Sequence, residues 1–556
     1  MLKRVCAIAM LSVCAAPAQV VMRVDAGSVI GPWSPVVRYF GYDEPNYTYM
    51  PNGKKLVGEL AAATSAPAYF RTHSLLVTGD GTPALKWGST NAYTEDAAGK
   101  PVYDWTIVDR IFDTYIQAKG KPLVEIGFMP EALSVKPQPY KHNWAPGGAY
   151  GNIYTGWAYP PTDYAKWAEL VHQWVKHCVE RYGREEVESW WWELWNEPDI
   201  AYWQGTPEEY NKLYDYTADA VKRALPTARM GGPGSTNPTS PKAAAFLRQF
   251  LEHCLRGKNN VTGKAGSPLD FISYHAKGAP RNVGDRIQMG AATQIANVGA
   301  GFEIVASYPG LARLPIIVSE WDPEGCAACS ARLYPQNAYR NTTLYPSTTA
   351  VVLANSIKLA DHYKVNLEGL LTWAFEFEGQ PYFDGLRSLA TNGIDKPVLN
   401  FFRMAGLMRG NRIRVTSDGA LGLDEILKNG VREKPDIDGM ATAGDHEISI
   451  MIWNYHDDSL PAPAASVRVA LEGIPPAVAR VLLKHYRIDD THSNSNTVWK
   501  EMGSPQQPTP SEYARMEAAG QLQLLESPRW VEAGKGSVRL EVSLPRHGIS
   551  LLQLSW

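Results

Sequence analysis

Between about residue 35 and residue 410, short apolar runs alternate with longer segments in which apolar residues recur every three or four positions. The short runs are typical of buried strands, and the longer segments are typical of helices that pack by one face. This repeated alternation predicts a parallel sheet with crossover helices, closed as a (β/α)8 TIM barrel over residues 35–410. The predicted strands are residues 36–41, 68–76, 122–129, 189–195, 228–233, 270–275, 314–320 and 369–375.

After about residue 410 the helical pattern stops. Short alternating or β-branched runs, separated by turn residues, predict a C-terminal β-sandwich accessory domain over residues 411–556. The extended segment 20–34 is expected to add a strand to this domain. Because no flexible linker separates the two parts, we expect the sandwich to pack firmly on the barrel. The predicted strands are residues 447–453, 466–471, 481–486, 537–544 and 549–554.

The first 18 residues have the pattern of a signal peptide. Two basic residues precede a short apolar run, and Ala16-Pro17-Ala18 offers a small-x-small cleavage site. We therefore expect a periplasmic or secreted protein. A lipoprotein is the less favoured alternative, because Val13 stands where the lipoprotein box before Cys14 needs a small residue. No later apolar run is long enough to span a bilayer.

The composition excludes some partners and leaves others open. With a formal net charge of −3 the chain has no basic excess, so nucleic acid is not an expected partner. Its 18 Trp and 28 Tyr residues suit a carbohydrate binder, although a large core would also contain them. We expect an oligosaccharide as the partner, no cofactor, no metal and a monomeric protein.

Four cysteines follow the predicted signal peptide. Cys178 and Cys254 lie in helical patterns, which favours buried thiols. Cys326 and Cys329 lie close together in a predicted loop, where a local disulfide and two free thiols both remain possible. A zinc site would need two further ligands at suitable spacing, and the sequence offers none.

Two glutamates, each at the end of a predicted strand, are the candidate catalytic residues. Glu197 follows strand 4 in the run Trp195-Asn196-Glu197-Pro198, and Glu320 ends strand 7. Each could by itself be an exposed charge after an apolar strand. In a closed barrel, however, these strand ends face one another across the mouth. Glycosidic hydrolysis needs one carboxylic acid to protonate the leaving oxygen and a second carboxylate on the opposite side.

The sequence resembles glycoside hydrolase family 39, which contains β-xylosidases and α-L-iduronidases within a clan of retaining barrel glycosidases. Asn196-Glu197-Pro198 after strand 4, with a glutamate ending strand 7, matches the clan. Further stretches match the family over nearly the whole mature chain, although Ser74 stands where a glycine is usual. They are residues 71–73 (Arg-Thr-His), 121–130, 270–275, 486–489, 492–494 and 502–505.

The resemblance implies a retaining reaction through a covalent glycosyl-enzyme. Glu197 would be the acid/base and Glu320 the nucleophile. Asn196 would hydrogen-bond the 2-hydroxyl of the sugar, an interaction that strengthens in the transition state.

The resemblance also implies a set of sugar contacts. Trp373 would be the platform under the sugar, and His73 and His275 would line the same subsite. Glu376 or Glu378, in the loop after strand 8, would hold hydroxyl groups. The alternatives are a satisfied strand-end histidine for His275 and a core residue for Trp373.

Three charged residues are expected to set the electrostatics. Arg71 is a candidate hydrogen-bond donor to Glu320. Glu193 lies four residues before Glu197, so strand periodicity places both on one side, where Glu193 would tune the protonation of Glu197. Lys277 lies near the site and would suit an anionic sugar.

The sugar is left open by the sequence. We expect an exo-acting β-xylosidase that releases xylose from β-1,4-xylo-oligosaccharides, because the carboxylates of Glu376 and Glu378 would repel an anionic sugar. The alternatives are an α-L-iduronidase-like enzyme, an arabinosidase, a β-glucosidase or a β-galactosidase. A catalytically dead sugar-binding barrel and a metal-dependent hydrolase are the rival classes. The dead barrel is disfavoured because both glutamates are present, and the metal enzyme because no His/Asp cluster follows the strands.

Overall fold

The computed structural model describes residues 19–64 and 66–556. Eight parallel strands form a closed barrel in which each strand pairs with the next along the chain, and strand 8 returns to strand 1 through the pair Leu371 and Tyr39. The predicted (β/α)8 fold is therefore confirmed. Barrel strands 1 to 8 are Tyr39–Tyr42, Tyr69–Thr72, Lys121–Ile126, Trp191–Leu194, Arg229–Ser235, Phe271–Lys277, Pro315–Asp322 and Asn366–Thr372.

Helices cover the outside of the barrel. Several begin with a clear start signal. Asp163 accepts hydrogen bonds from the backbone N–H groups of Ala165 and Lys166, and Thr206 with Glu209 forms a capping box. Barrel helices 1 to 8 are Pro51–Ala62, Thr106–Gln117, Tyr164–Tyr182, Pro207–Ala224, Pro241–Arg256, Ala291–Ala306, Leu344–Tyr363 and Pro397–Leu407.

Side chains of the tryptophan-rich strand 4 alternate between two environments, as strand geometry requires. Trp192 meets Trp174 of barrel helix 3 edge-to-face, with ring centroids 5.8 Å apart. Trp191 points into the barrel, where its ring meets Phe271 at 5.0 Å. Trp190, just before the strand, packs against Phe112 of barrel helix 2. These tryptophans pack the barrel and hold strand 4 in place.

The accessory domain is built on one ten-stranded sheet that closes over a second apolar core. Met451, Trp453 and Leu551 of this sheet belong to the apolar core of the barrel, so the two parts pack firmly. The strand Val20–Pro32 lies inside this sheet, between Asn411–Ser417 and Ala465–Glu472. The other strands are Asp436–Gly444, Glu447–Tyr455, Arg480–Ile488, Gln523–Leu524, Arg529–Glu532, Ser537–Leu544 and Ile549–Ser555.

The expectation that helices end near residue 410 is wrong. Three further helices occur, Leu423–Asn429, Ser495–Glu501 and Pro510–Gly520. They are too short to show a sustained apolar period, which is why the pattern missed them. The start of the last helix does have a recognisable sequence pattern, since Thr509 just before Pro510 and Glu512 two residues after it form a capping box.

The predicted signal peptide, residues 1–18, lies outside the described residues. Within residues 19–64 and 66–556, none of the helices combines the length and the apolar character needed to cross a membrane.

Candidate active site

Glu197 reaches the barrel mouth on a strained turn. Trp195 and Glu197 both have left-handed backbone conformations, with φ of 67° and 44°. Such angles are costly for residues other than glycine and occur mainly where surrounding contacts enforce them. Here the N–H of Glu197 donates to the carbonyl of Gly234, 2.9 Å away, at the end of strand 5. The turn carries the Glu197 side chain beyond strand 4 and over the mouth.

Strands 6 and 7 bring the second glutamate close to the first. His275 Nδ1 lies 2.9 Å from Glu197 Oε1 and 3.8 Å from Glu320 Oε2. One carboxyl oxygen of each glutamate and one ring nitrogen of His275 lie within 4.8 Å of one another. Lys277 Nζ, two residues after His275 on strand 6, lies 2.6 Å from Glu320 Oε2. The two predicted catalytic glutamates therefore face each other across a single imidazole.

Arg71 is the buried hub beneath this pair. Its guanidinium contacts Glu193, Glu125 at 2.9 Å and Glu320 at 3.6 Å, and it donates to Asn196 Oδ1 at 3.2 Å. The predicted hydrogen bond from Arg71 to Glu320 is not formed, and the two side chains make a charge contact at 3.6 Å instead. Glu193 pairs with Arg71 rather than with Glu197, so its influence on the acid/base would pass through this guanidinium. The side-chain carbonyl of Asn196 accepts from Arg71, so the side-chain N–H groups of Asn196 are left for a ligand.

The pKa of Glu197 is raised to about 8. Burial is the main cause, and the negative charge of Glu320 adds to it. Glu197 is therefore protonated at neutral pH and able to donate a proton.

The pKa of Glu320 lies well below the usual range of a carboxyl group. Burial alone would raise it, but His275, Lys277 and Arg71 together outweigh burial. Burial lowers the pKa of His275 itself to about 4, so this imidazole is neutral near pH 7. The standing charges of Lys277 and Arg71 therefore keep Glu320 ionised. One carboxylic acid and one carboxylate thus share the site.

The glutamates open into a cavity of about 260 Å3. This is slightly below the roughly 300–1,000 Å3 typical of small-ligand pockets, so the space suits a single sugar ring. Trp373 forms part of its wall, with its ring centroid 4.4 Å from that of His73. The cavity is lined by Asp43, His73, Lys86, Tyr150, Asn196, Glu197, Tyr202, Lys277, Glu320, Gly325, Cys326 and Trp373.

Glu376 and Glu378 depart from their predicted placement. Neither lines the cavity. Glu376 is buried and accepts a hydrogen bond from the N–H of Gly393, while Glu378 accepts from the N–H and the side-chain amide of Asn52. The loop after strand 8 turns these carboxylates toward the protein, where they hold neighbouring loops instead of facing a sugar.

Six cavity residues were not predicted as site residues from the sequence: Asp43, Lys86, Tyr150, Tyr202, Gly325 and Cys326. Asp43 comes directly after strand 1, so the strand-end rule that found Glu197 would also have found it. Lys86 and Tyr150 lie in long loops where no periodicity indicates location. Tyr202 follows Glu197 by five residues and had no distinguishing signal.

The four cysteines after residue 18 fall into two groups. Cys326 and Cys329 form a disulfide, and Cys326 lines the cavity. Cys178 and Cys254 are buried free thiols.

Glu197, His275 and Glu320 together could also chelate a metal ion. A dication there would lie beside the Lys277 ammonium, which already neutralises Glu320, so the charge around the site fits a metal poorly.

Barrel enzymes that cleave glycosidic bonds use a protonated and an ionised carboxyl group facing each other over one small cavity. Fold and site together define the protein as a glycoside hydrolase. Comparison with known proteins supplies the family: the chain matches glycosyl hydrolases family 39 over residues 68–535 and belongs to this family.

Characterised relatives of two kinds match the chain. It is 28% identical to a β-xylosidase of Caldicellulosiruptor saccharolyticus over 456 residues, which cover 80% of this chain and 81% of that protein. It is 28% identical to human α-L-iduronidase over 386 residues, covering 64% of this chain and 55% of that protein. A monomeric β-xylosidase structure from Caulobacter crescentus superposes with a TM-score of 0.74 at 20% identity, covering 97% of this chain and 99% of that one.

Proposed function

We propose that the protein is a retaining exo-glycosidase that releases xylose from the non-reducing ends of β-1,4-xylo-oligosaccharides. The observation that carries this proposal is the close approach of Glu197 and Glu320, since one carboxyl oxygen of each lies within 4.8 Å of the other. Retaining glycosidases hold their two carboxyl groups about 5–5.5 Å apart, whereas inverting enzymes need about 6.5–9.5 Å to admit a water.

In the first step, Glu320 attacks the anomeric carbon while Glu197 donates its proton to the glycosidic oxygen. The bond from that carbon to the leaving oxygen breaks, and an ester between the sugar and Glu320 forms. The amide N–H of Asn196 is free to hydrogen-bond the sugar as positive charge develops on the ring.

In the second step, a water attacks the same carbon and Glu197 takes its proton. Ester formation removes the negative charge of Glu320, which is one cause of the raised pKa of Glu197. The pKa of Glu197 therefore falls in the intermediate, and the group that acted as an acid becomes available as a base. The bond between the sugar and Glu320 breaks, which frees xylose and restores the Glu320 carboxylate and the protonated Glu197.

The charge balance of the cavity supports a neutral sugar. Two lysines line it, and each ammonium already has a carboxylate partner. Lys277 is bound by Glu320 and by Asp322 at 2.9 Å, and Lys86 is bound by Asp43 at 2.5 Å. A uronic acid carboxylate would have to compete with these ion pairs, so xylose suits the site better than iduronate. Glu376 and Glu378 lie outside the cavity and have no part in this preference.

A panel of aryl glycosides tests this proposal. We expect turnover of aryl β-D-xyloside with retention at the anomeric carbon, followed by NMR, and loss of turnover in Glu197→Ala and Glu320→Ala. Azide should rescue Glu197→Ala with a β-glycosyl azide and Glu320→Ala with the inverted azide. The opposite azide pattern would exchange the two roles. Sugar binding without turnover of any aryl glycoside would instead make the protein a non-catalytic sugar binder.

We also propose that the protein works in an oxidising compartment, periplasmic or extracellular, and acts as a monomer. Support comes from the signal-like residues 1–18 and from the disulfide at Cys326. Processing at residue 18 in the secreted fraction, measured by mass spectrometry of the intact protein, tests the location.

A further inference from the structure

An ion pair at the cavity wall has no part in the two-step reaction. Asp43 follows strand 1, and its Oδ2 lies 2.5 Å from Lys86 Nζ. Both side chains are more than nine-tenths buried from solvent, yet both line the cavity beside the glutamates. Burial of two charges is unfavourable unless further polar contacts compensate. A buried ion pair that lines an open cavity therefore suits a polar ligand.

The backbone of Lys86 is held in a conformation that the pair requires. Its φ is 58°, in the left-handed region that a lysine rarely adopts. Its N–H donates to Glu44 Oε1 at 2.6 Å, and its carbonyl lies 2.6 Å from His142 Nε2, so it is fixed from two other loops. Strained residues that their surroundings hold in place concentrate at ligand sites. Two buried side chains thus aim the Lys86 ammonium at the cavity.

The pair lies within reach of the ring that the glutamates would hold. His73 Nε2 is 3.4 Å from Asp43 Oδ1 and 4.0 Å from Glu320 Oε1. Trp373 Nε1 donates to the same oxygen of Asp43 at 3.3 Å. Asp43 and the nucleophile are therefore separated by one imidazole, on a wall that also contains the predicted sugar platform. A sugar ring held at Glu320 therefore also has Asp43 on the wall of its cavity.

We propose that Asp43 and Lys86 form a hydroxyl clamp that selects the configuration of the bound sugar at the two hydroxyls remote from the anomeric carbon. A carboxylate only accepts hydrogen bonds and an ammonium only donates them. One hydroxyl can donate to Asp43 while its neighbour accepts from Lys86, which recognises a vicinal diol. This inference rests on the proposed function and adds the residues that distinguish xylose from its epimers.

Deoxy substrates test the clamp because they remove the hydroxyl instead of the protein group. In the wild type, aryl 3-deoxy- or 4-deoxy-β-D-xyloside should lose at least about 100-fold in kcat/KM relative to the parent xyloside. In Asp43→Asn and Lys86→Met, the parent substrate should lose a similar factor, and removal of the hydroxyl should then cost less than about threefold. The 4-epimer, an aryl α-L-arabinopyranoside, should also be discriminated less strongly by these variants.

The control is Asp215→Asn. Asp215 is an equally buried aspartate that is paired with His253 at 2.8 Å but lies outside the cavity. This variant should keep the full deoxy penalty, and thermal unfolding of all variants checks that they fold. If the deoxy penalty is the same in the wild type, Asp43→Asn and Lys86→Met, the clamp is refuted while the proposed function stands. If the wild type turns over no aryl xyloside, the proposed function fails and the clamp fails with it.

Discussion

At the scale of single residues, the difference in protonation between two glutamates is the central property of the site. Glu197 is kept protonated by burial and by its negative neighbour, whereas Glu320 is kept ionised by two cations. Neither state is a property of glutamate as such, because the same side chain titrates differently at the two positions. Position relative to Lys277 and Arg71 decides which one carries the proton.

This arrangement predicts that activity persists to an unusually high pH. Since the pKa of Glu197 is about 8, the proton is retained through neutral pH and lost as the pH rises past that value. For xylobiose, whose leaving alcohol needs the proton, kcat/KM should fall above about pH 8. A dinitrophenyl xyloside should show little of this fall, because its leaving group needs no protonation. A basic limb near pH 5 for xylobiose would contradict the assignment.

A second prediction concerns Glu376, which the sequence placed at the sugar. Burial raises its pKa to about 8, so it is already protonated at neutral pH. Glu376→Gln keeps an oxygen to accept from Gly393 and should leave kcat/KM for aryl xyloside within about twofold. The same neutral substitution at Glu320 should abolish turnover. A loss of 100-fold or more in Glu376→Gln would return this residue to the sugar site.

Residues at strand ends could be predicted from the sequence because register converts position in the chain into position in space. Glu197 and Glu320 were found in this way, whereas His275 was implied by the family resemblance, and the structure brings the three together. Lys86 was not found, because its location depends on contacts of its backbone with Glu44 and His142, which are distant in sequence. Glu376 was misplaced because a loop direction cannot be read from its composition.

At the scale of elements, the loop after strand 7 forms a cavity wall that a disulfide holds in place. The disulfide closes residues 326–329, and the buried guanidinium of Arg340 donates to the carbonyls of Cys326 and Cys329 at 2.7 and 2.8 Å. The fully buried Arg387 donates to the carbonyl of Gly325. The wall therefore has both a covalent restraint and a set of charge-assisted hydrogen bonds.

Reduction of this disulfide should weaken substrate binding more than chemistry. The loop lines the cavity but contains neither reacting carboxyl group, so we expect KM for aryl xyloside to rise by roughly fivefold while kcat changes less than about twofold. A phosphine reductant applied to the wild type gives the measurement. The Cys326→Ser/Cys329→Ser double variant should show the same KM without reductant and no further response to it. Unchanged KM in both would show that the arginines alone hold the wall.

Elements with long, regular patterns were predictable, and short ones were not. The barrel strands were all found near their observed positions because each is a short apolar run that is buried in the barrel. The helix Pro510–Gly520 was missed because its helical start depends on a capping box and it shows few apolar residues. For such elements, end signals carry more information than periodicity.

At the scale of the whole molecule, the first and last strands of the described residues lie in one sheet. The strand Val20–Pro32 hydrogen-bonds to strands on both sides, and Met22 is fully buried in the second core. Val29, in the same strand, is 58% exposed. The strand is thus an internal part of the accessory sheet and not an appendage to the barrel.

Substitutions within this strand should separate the two environments. Met22→Asp places a charge in an apolar core and should lower the free energy of unfolding by about 3 kcal/mol or more, measured by urea denaturation. Val29→Asp makes the same chemical change at an exposed position and should stay within about 0.5 kcal/mol of the wild type. Equal effects of the two substitutions would mean that the strand is not anchored as the sheet register indicates.

The placement of this strand also sets the order in which the molecule can be completed during synthesis. The N–H of Val21 donates to Asp418, 397 positions later, and the other neighbouring strand begins only at Ala465. By contrast, every barrel strand has left the ribosome once Thr372 has emerged. A nascent chain therefore carries the strand Val20–Pro32 without its neighbours while the barrel already has all its strands. This strand is therefore the segment that a chaperone could bind for the longest time during synthesis.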